Sequence, residues 1–301
     1  MSSIFQDAVQ LLMSGLALGG VYTLLAMGLF LTYATSRALN FGQGDFMALA
    51  AFLSMAGITA GFPIVVVLMG VTAILVVLGI VVERMAVRPV VARSHIGTTH
   101  LGWILTTLGF GMMLQNTISV VWGKSSHYSP PLFSERNQQL VSFLGSRVYL
   151  EELAVAGAAL VLVGVMYLLL YRSAWGKRVA AVSFEPQTAR LLGIDVRRTI
   201  IGSYVVMALL SAFAGVLVGP LQAVQSHMGM LFLLKAFAVI SIGGFSNPLG
   251  LLIGGLAFGT IESISNYVDS SFGDLYPFLI VMCFLIVRPM GLFSERKTDV
   301  R

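Results

Sequence analysis

Long apolar runs dominate this chain, and short polar stretches separate them. Four of the runs are nearly free of charged residues: Ala8–Tyr33, Phe62–Val82, Leu153–Leu170 and Pro248–Ile261. About 20 apolar residues in a helix span the hydrocarbon core of a bilayer, where the backbone must satisfy its own hydrogen bonds. The runs do not alternate as the strands of a membrane barrel do. The pattern therefore predicts membrane-spanning helices.

The whole pattern predicts nine hydrophobic segments, of which the second and the seventh are short for a crossing. They cover residues 8–35, 45–60, 62–82, 101–121, 150–171, 199–221, 229–245, 248–267 and 276–290. We therefore expect an all-α polytopic membrane protein with about 8–10 transmembrane helices, some of them broken or short. All of residues 1–301 then form a single transmembrane domain.

Composition agrees with this interpretation and argues against a soluble fold. Of the 301 residues, 57% are apolar and 10% are charged, whereas ordinary globular domains carry about 25% charged residues. Water would not tolerate so much apolar surface on a compact chain of this size, so lipid is an expected partner. The net charge of +5 is not a sign of nucleic-acid binding, because the basic residues fall where a membrane topology needs them.

The basic residues form three clusters that predict the orientation of the chain. Cytoplasmic loops carry an excess of Lys and Arg, and nine crossings place all three clusters inside, the amino terminus outside and the carboxyl terminus in the cytoplasm. The loop at 123–149 is then periplasmic and the loop at 172–198 cytoplasmic. The clusters are Arg84, Arg88 and Arg93; Arg172, Lys177, Arg178, Arg190, Arg197 and Arg198; and Arg288, Arg296, Lys297 and Arg301.

Two polar, glycine-rich breaks interrupt the apolar pattern, one in each half of the chain. Paired breaks in the two halves of a membrane protein are typical of a translocation path, and irregular backbone at membrane depth is tolerated where it lines a cavity. Ordinary short loops at the membrane surface are the alternative. The candidate path residues are Asn40, Phe41, Gly42, Gly44, Asp45, Gly243 and Gly244.

Two charged residues fall inside predicted spans, Lys235 and Glu262. A charge in mid-span costs at least about 2.5–3.5 kcal/mol, so it normally faces protein or water. Each residue is therefore either part of a pathway or gate, or a buried structural partner, or a side chain that reaches the interface.

The polar loop at 172–198 contains the pattern of a short helix. Pro186 suits a helix start, and Gly193 suits the position just after a helix end, so the pattern predicts a helix from Pro186 to Leu192. Its apolar residues Ala189, Leu192 and Ile194 are candidates for docking into a groove on a partner. A solvated surface helix is the alternative.

Several motifs in order resemble the LivH-type permease of branched-chain amino-acid ABC importers. Residues 39–45, Leu-Asn-Phe-Gly-Gln-Gly-Asp, are similar to the family's Leu-Asn-Phe-Ala-His-Gly-Glu, with Gly42 and Gln43 in place of its Ala-His pair. The other matches are at 83–89, 107–109, 114–116, 189–194, 235–237 and 243–250. They span roughly residues 15 to 265, so the order and spacing carry the resemblance rather than any single motif.

The resemblance implies a type II importer-like permease in the bacterial inner membrane that moves branched-chain amino acids, or a related small polar solute, by alternating access. It also implies a second, LivM-like permease subunit, two cytosolic ATPase subunits and a periplasmic substrate-binding protein. The 172–198 loop then holds the coupling helix, although Pro186 interrupts the family's usual charged run. The implied ATPase-coupling residues are Phe184, Glu185, Arg190, Leu191, Leu192 and Gly193.

The chain lacks the motifs of an enzyme that would power itself. A Walker A loop needs Gly-x-x-x-x-Gly-Lys-Ser/Thr, and Ile118 stands where its first glycine belongs before Gly123-Lys124-Ser125. No His or Cys spacing suits a metal, and we expect no cofactor and no catalytic residues. An ion-coupled carrier or channel acting without ATPases is the alternative function, with Asp45, Lys235 and Glu262 to couple ions; a membrane enzyme comes third.

Overall fold

The computed structural model describes residues 2–93, 102–132, 140–143, 146–244, 247–288 and 291–292. In these residues the helices are α1 (Ser2–Ser36), α2 (Gln43–Thr59), α3 (Ile64–Val82), α4 (Arg88–Arg93), α5 (Gly102–Trp122), α6 (Leu150–Arg172), α7 (Ala174–Phe184), α8 (Pro186–Leu191), α9 (Val196–Val218), α10 (Met228–Gly243), α11 (Pro248–Val268) and α12 (Leu275–Val287). A π-helical turn, Glu83–Val87, joins α3 to α4. The antiparallel strands β1 (Leu140–Phe143) and β2 (Ser146–Tyr149) pair Leu140 with Tyr149.

Helix α1 is the centre of the bundle and packs against α6, α9, α10 and α11. Its contact with α11 is close because glycines face glycines there. A Cβ atom on Gly19 would lie 2.5 Å from the carbonyl oxygen of Gly255, and a Cβ on Gly15 would lie 2.6 Å from the Cα atom of Thr260. Small residues that let backbones approach are a common basis of helix association in lipid, where the hydrophobic effect is missing.

Helix α2 is short and surrounded by protein. Twelve of its 17 residues are buried, and it packs against α3, α5, α9 and α10. Gly215 on α9 allows the close approach, because a Cβ there would lie 2.6 Å from the Cβ of Ala50. A helix buried on all sides can end inside the bundle, since neighbouring helices rather than lipid surround its terminus.

Each of the nine predicted hydrophobic segments contains a helix in the structure, and the all-α polytopic class is confirmed. Within the described residues, six helices are long and apolar enough to cross a membrane, while α2, α10 and α12 have only 17, 16 and 13 residues. The β1–β2 hairpin and the π-helical turn were not predicted. The basic residues Arg296, Lys297 and Arg301 lie outside the described residues.

Candidate functional site

The first predicted break is a tight polar turn between α1 and α2. Arg37 follows α1 with a left-handed φ of +56°. The buried Asn40 then organises the turn: its Oδ1 accepts a hydrogen bond from the Gly42 N–H (3.1 Å), and its carbonyl oxygen accepts one from the Gln43 N–H (3.1 Å). Phe41 stacks on Trp103 of α5, with ring centroids 6.1 Å apart. The turn therefore fixes where α2 begins.

The start of α2 lies deep in the bundle. Asp45, in the first turn of α2, lies against Gly111, where a Cβ atom would be 2.5 Å from Asp45 Oδ2. Gly111 is the tenth residue of α5, about 14 Å along a helix that is about 32 Å long. The break thus runs from the start of α5, where Phe41 stacks on Trp103, to the middle of that helix at Asp45, and its inner end does not agree with an ordinary loop at the membrane surface.

Glycines surround the Asp45 carboxylate on two sides. Gly111 of α5 faces Oδ2, and Gly229, in the first turn of α10, would place a Cβ atom 2.6 Å from Oδ1. Gly44 meets the backbone of Gly229 directly, so α2 and α10 meet at their amino-terminal ends. One turn further along α5, the Gln115 side chain contacts the His227 ring just before α10. This Asp45 slot, formed by Asp45, Gly44, Gly111 and Gly229, joins three helices.

The second predicted break lies elsewhere. Gly243 ends α10, about 21 Å along that helix from Gly229, and a Cβ on Gly243 would clash with the backbone of Gly250. Gly244 has a φ of +89°, and Leu292 N–H donates to the carbonyl oxygen of Ile242 (2.8 Å). The structure therefore gives Gly243 and Gly244 a place in a packed turn and does not bring them to Asp45. Their assignment to the path stays a prediction.

Lys235 and Glu262 form a buried ion pair across α10 and α11. Lys235 Nζ lies 2.8 Å from Glu262 Oε1 and 2.8 Å from Asp274 Oδ1. Tyr22 of α1 donates to Glu262 Oε1 (2.9 Å), and the Lys235 ammonium lies over the Phe232 ring, 5.7 Å from its centroid. This Lys235 cluster ties α1, α10 and α11 to the start of α12. Of the three roles considered for Lys235 and Glu262, this geometry favours that of buried structural partners over a pathway residue or a side chain that reaches the interface.

The polar loop between α6 and α9 folds as two helices, α7 and α8, which we call the α7–α8 hairpin. Glu185 caps α8 by accepting from the Gln187 N–H (3.3 Å), and Asp195 caps α9 by accepting from the Arg198 N–H (3.0 Å). Gly193 has a φ of +80°, as a residue that follows a helix end often does. The observed α8 stops at Leu191, one residue before the predicted end.

The exposed face of the hairpin differs in part from the predicted one. Ala189 and Ile194 do not point outward: Ala189 is buried with Val182 and Val196, and Ile194 packs against them. The two residues support the hairpin because they fill the gap beneath it. Of the residues proposed for docking, Leu192 is 74% exposed, and Leu191 and Phe184 are 88% and 87% exposed. Glu185, Arg190 and Gly193 are also exposed.

A hydrogen bond connects the hairpin to the first break. Arg37 Nη2 donates to the carbonyl oxygen of Ser183 at 2.6 Å, and Ser183 directly precedes the exposed Phe184. The same Arg37 begins the turn that leads to Asn40. Sequence reasoning missed Arg37, Gly111 and Gly229, because nothing in the sequence says which distant residue lies beside which break. The positive φ of a non-glycine residue also leaves no mark in the sequence.

These features define a polytopic helical transport protein, with a break at membrane depth and an apolar surface on a polar loop. The chain belongs to the family described as branched-chain amino acid transport system / permease component, whose match covers residues 11–288. The resemblance to LivH-type permeases is thereby confirmed, and the protein is a multi-pass membrane permease.

Curated relatives align along nearly the whole chain. The high-affinity branched-chain amino acid transport system permease protein LivH of Escherichia coli K12 is 29% identical over 99% of both chains. The corresponding protein BraD of Pseudomonas aeruginosa is 25% identical over 97% of both. The galactose/methyl galactoside import permease protein MglC of Haemophilus influenzae is 26% identical over 80% of this chain and 72% of its own.

A solved structure has the same fold. PsaBC from Streptococcus pneumoniae in complex with Fab matches with a TM-score of 0.53 over 95% of both chains, at 13% sequence identity. At that identity the likeness concerns the arrangement of the helices alone.

Proposed function

We propose that this protein is the permease subunit of an ATP-driven importer that carries branched-chain amino acids, or a related small polar solute, across the inner membrane. The end-to-end similarity to LivH and BraD supports the solute class. The observation that carries the mechanism is the hydrogen bond from Arg37 to the α7–α8 hairpin, because it links an exposed apolar surface to a break at membrane depth.

The apolar surface of the hairpin is the docking site of a cytosolic ATPase subunit. Phe184, Leu191 and Leu192 are more than 70% exposed on a loop that also carries the exposed Arg190 and Glu185. Large apolar side chains clustered on a polar surface mark a protein–protein contact. ATP hydrolysis belongs to that partner, and each of two ATPase subunits engages one permease subunit.

Arg37 transmits the motion of the hairpin to the path. When the ATPases close, the hairpin moves, and the Ser183 carbonyl moves with it. Arg37 holds that carbonyl and starts the turn that positions Asn40 and Asp45. Binding of a nucleotide or a ligand shifts the equilibrium between two conformations of the permease only through contacts that differ between them. The hydrogen bond from Arg37 to Ser183 is such a contact, and it links the hairpin to the path. The path at the break then opens alternately to the two sides of the membrane.

A second, LivM-like permease subunit covers the outer face of α5. The span that contains α3 and the span of α5 are equally poorly covered by the rest of the chain, yet their mean hydropathy is 3.1 and 1.4. The exposed face of α5 carries Asn116 and Thr117 among apolar side chains such as Met113 and Val120, whereas α3 exposes aliphatic side chains such as Val65 and Val77. Polar side chains in mid-span face protein or water rather than lipid.

The orientation follows from the same assignment. The hairpin lies in the cytoplasm, which puts the amino terminus and the 123–149 loop outside and the carboxyl terminus inside. A periplasmic binding protein then delivers the solute to the outer pole, where His127 and Val224 join two loops by backbone hydrogen bonds of 2.9 and 2.7 Å.

The docking role is tested by Leu191→Asp with Leu192→Asp. We expect the double variant to insert normally but to lose its ATPase partner on detergent purification, because two carboxylates replace the apolar contact. Tyr128→Asp is the control: Tyr128 is 83% exposed on the opposite pole and should keep the partner. Normal co-purification and solute-stimulated ATPase activity in the double variant would refute the docking role.

A further inference from the structure

The Asp45 carboxylate has no counter-charge in the described part of the chain. Its side chain is buried, with 9% of the residue exposed, and no described residue pairs with the carboxylate or donates a hydrogen bond to it. A buried charge without a partner carries a large desolvation penalty. Such a group either takes up a proton or obtains its partner from outside the chain.

The two other carboxylates of fully buried residues in the described chain each lie near at least one cation, although one oxygen of each, Glu83 Oε2 and Glu262 Oε2, accepts no hydrogen bond. Glu262 has Lys235 at 2.8 Å and the Tyr22 hydroxyl at 2.9 Å. Glu83 lies within the electrostatic influence of Arg84, Arg88 and Arg197. Of these three fully buried carboxylates, Asp45 is the one with neither a cation nor a hydrogen-bond donor among the described residues, and it lies at the level of the middle of α5.

The helix position of Asp45 favours the negative form of its carboxylate, against the desolvation that burial imposes. It lies in the first turn of α2, where the positive end of the helix dipole stabilises a negative charge. The absence of Cβ atoms on Gly111 and Gly229 leaves each oxygen facing backbone of a different helix. Alanine at either position would collide with the carboxylate, so the two glycines let the charge lie directly against α5 and α10.

We infer that Asp45 binds the ammonium group of the solute that crosses the membrane. An ammonium carries one positive charge and three hydrogen-bond donors, and charge-assisted hydrogen bonds to a carboxylate are about twice as strong as neutral ones. The inference deepens the proposed function and rests on it: it makes the solute an amine or an amino acid, whereas a sugar such as those in the name of MglC offers no cation. A free inorganic cation is the other source of the same charge.

The test places a reporter beside the slot in the purified importer complex without its binding protein. Cys283, the one cysteine, is replaced in Cys283→Ser, and Gln115→Cys, one turn from Gly111, is labelled with a maleimide. We expect leucine and 3-methylbutylamine to slow labelling, and 4-methylpentanoate, which lacks the amine, to have no effect. Asp45→Asn should weaken the protection by about 30-fold or more, because a buried charge pair loses one member, and Asp45→Glu should retain part of it.

The outcomes separate the inference from its alternatives. Protection by 4-methylpentanoate equal to that by leucine, or protection that survives Asp45→Asn, overturns it. Protection by NaCl or KCl alone assigns the site to an inorganic cation and also overturns it. ATP-dependent leucine uptake by the unmodified complex is measured in parallel, and its absence contradicts the proposed importer function. Protection by 3-methylbutylamine in that case still supports amine binding at Asp45. Co-purification of the ATPase with Asp45→Asn establishes that the variant has folded.

Discussion

Two carboxylates lie inside the bundle in opposite electrostatic surroundings. Glu262 accepts hydrogen bonds from Lys235 and Tyr22 within 2.9 Å, so the chain itself supplies its counter-charge. The Asp45 carboxylate lies against Gly111 and Gly229, and no described cation pairs with it. Both residues are less than 10% exposed, so burial alone does not distinguish them; the presence of a partner does.

The difference separates a structural charge from one that awaits a ligand. A buried ion pair fixes the geometry of its helices, and losing one partner is costly because the other charge remains buried. The Lys235 cluster joins α1, α10, α11 and the start of α12 in this way. Asp45 instead lies where α2, α5 and α10 meet at glycines, and its charge is left for a group from outside the described chain.

The largest effect is expected from Lys235→Met. The variant leaves Glu262 buried and uncompensated, so we expect a loss of about 3–5 kcal/mol of stability, measured as a lower unfolding temperature in detergent. Lys235→Met with Glu262→Gln should recover most of that loss, since the only charge left without its partner is Asp274, whose side chain is 61% exposed. Asp45→Asn, which breaks no pair, is the control and should unfold near the native temperature. Equal stability of the native protein and Lys235→Met would show that Glu262 does not depend on Lys235, and the contrast with Asp45 would then fail.

A smaller effect on stability, with loss of transport, is expected from Gly111→Ala. The new methyl group would lie 2.5 Å from Asp45 Oδ2, and overpacking of this kind typically costs about 1–3 kcal/mol. Solute uptake should fall because the methyl group displaces the Asp45 carboxylate. Gly70→Ala on α3 is matched to it, since a Cβ there meets nothing within 4 Å, and it should transport normally. Unimpaired uptake with Gly111→Ala would show that the slot is not on the path.

The smallest effect on stability is expected from Arg37→Ala. The side chain is exposed, and a surface substitution of this kind usually changes stability by no more than about 0.5 kcal/mol. The hydrogen bond to Ser183 is lost, however, so ATP hydrolysis by the complex should continue while uptake per ATP falls. Arg198→Ala, at another exposed arginine near the hairpin, should keep the native ratio. An unchanged ratio in Arg37→Ala would exclude this contact from coupling.

The helices were predictable because apolar runs determine which segments enter the membrane. Even the short second and seventh segments corresponded to α2 and α10, and the helix at Pro186 followed from its proline and from Gly193. The two sides of α8 were harder to tell apart: Ala189 and Leu192 are both apolar, but only the packing of α8 onto Val182 and Val196 decides which of them is buried.

Only Asp45 and the break that contains it could be predicted from the sequence. Asp45 stood out as a charge in an apolar pattern, but Gly111 and Gly229 are distant in sequence, and only the fold brings them beside it. The two breaks looked equivalent as sequences. Helix α10 separates the two breaks, because Gly229 and Gly243 lie at its opposite ends. The sequence pattern carries no information on that distance.

ATP-dependent leucine uptake tests the central claim most directly. The chain, purified with its permease, ATPase and binding-protein partners, is reconstituted into proteoliposomes and compared with the chain alone. The account predicts accumulation of leucine only when the partners and ATP are all present, and none with the chain alone under any ion gradient. Uptake by the isolated chain, driven by a sodium or proton gradient, would contradict it.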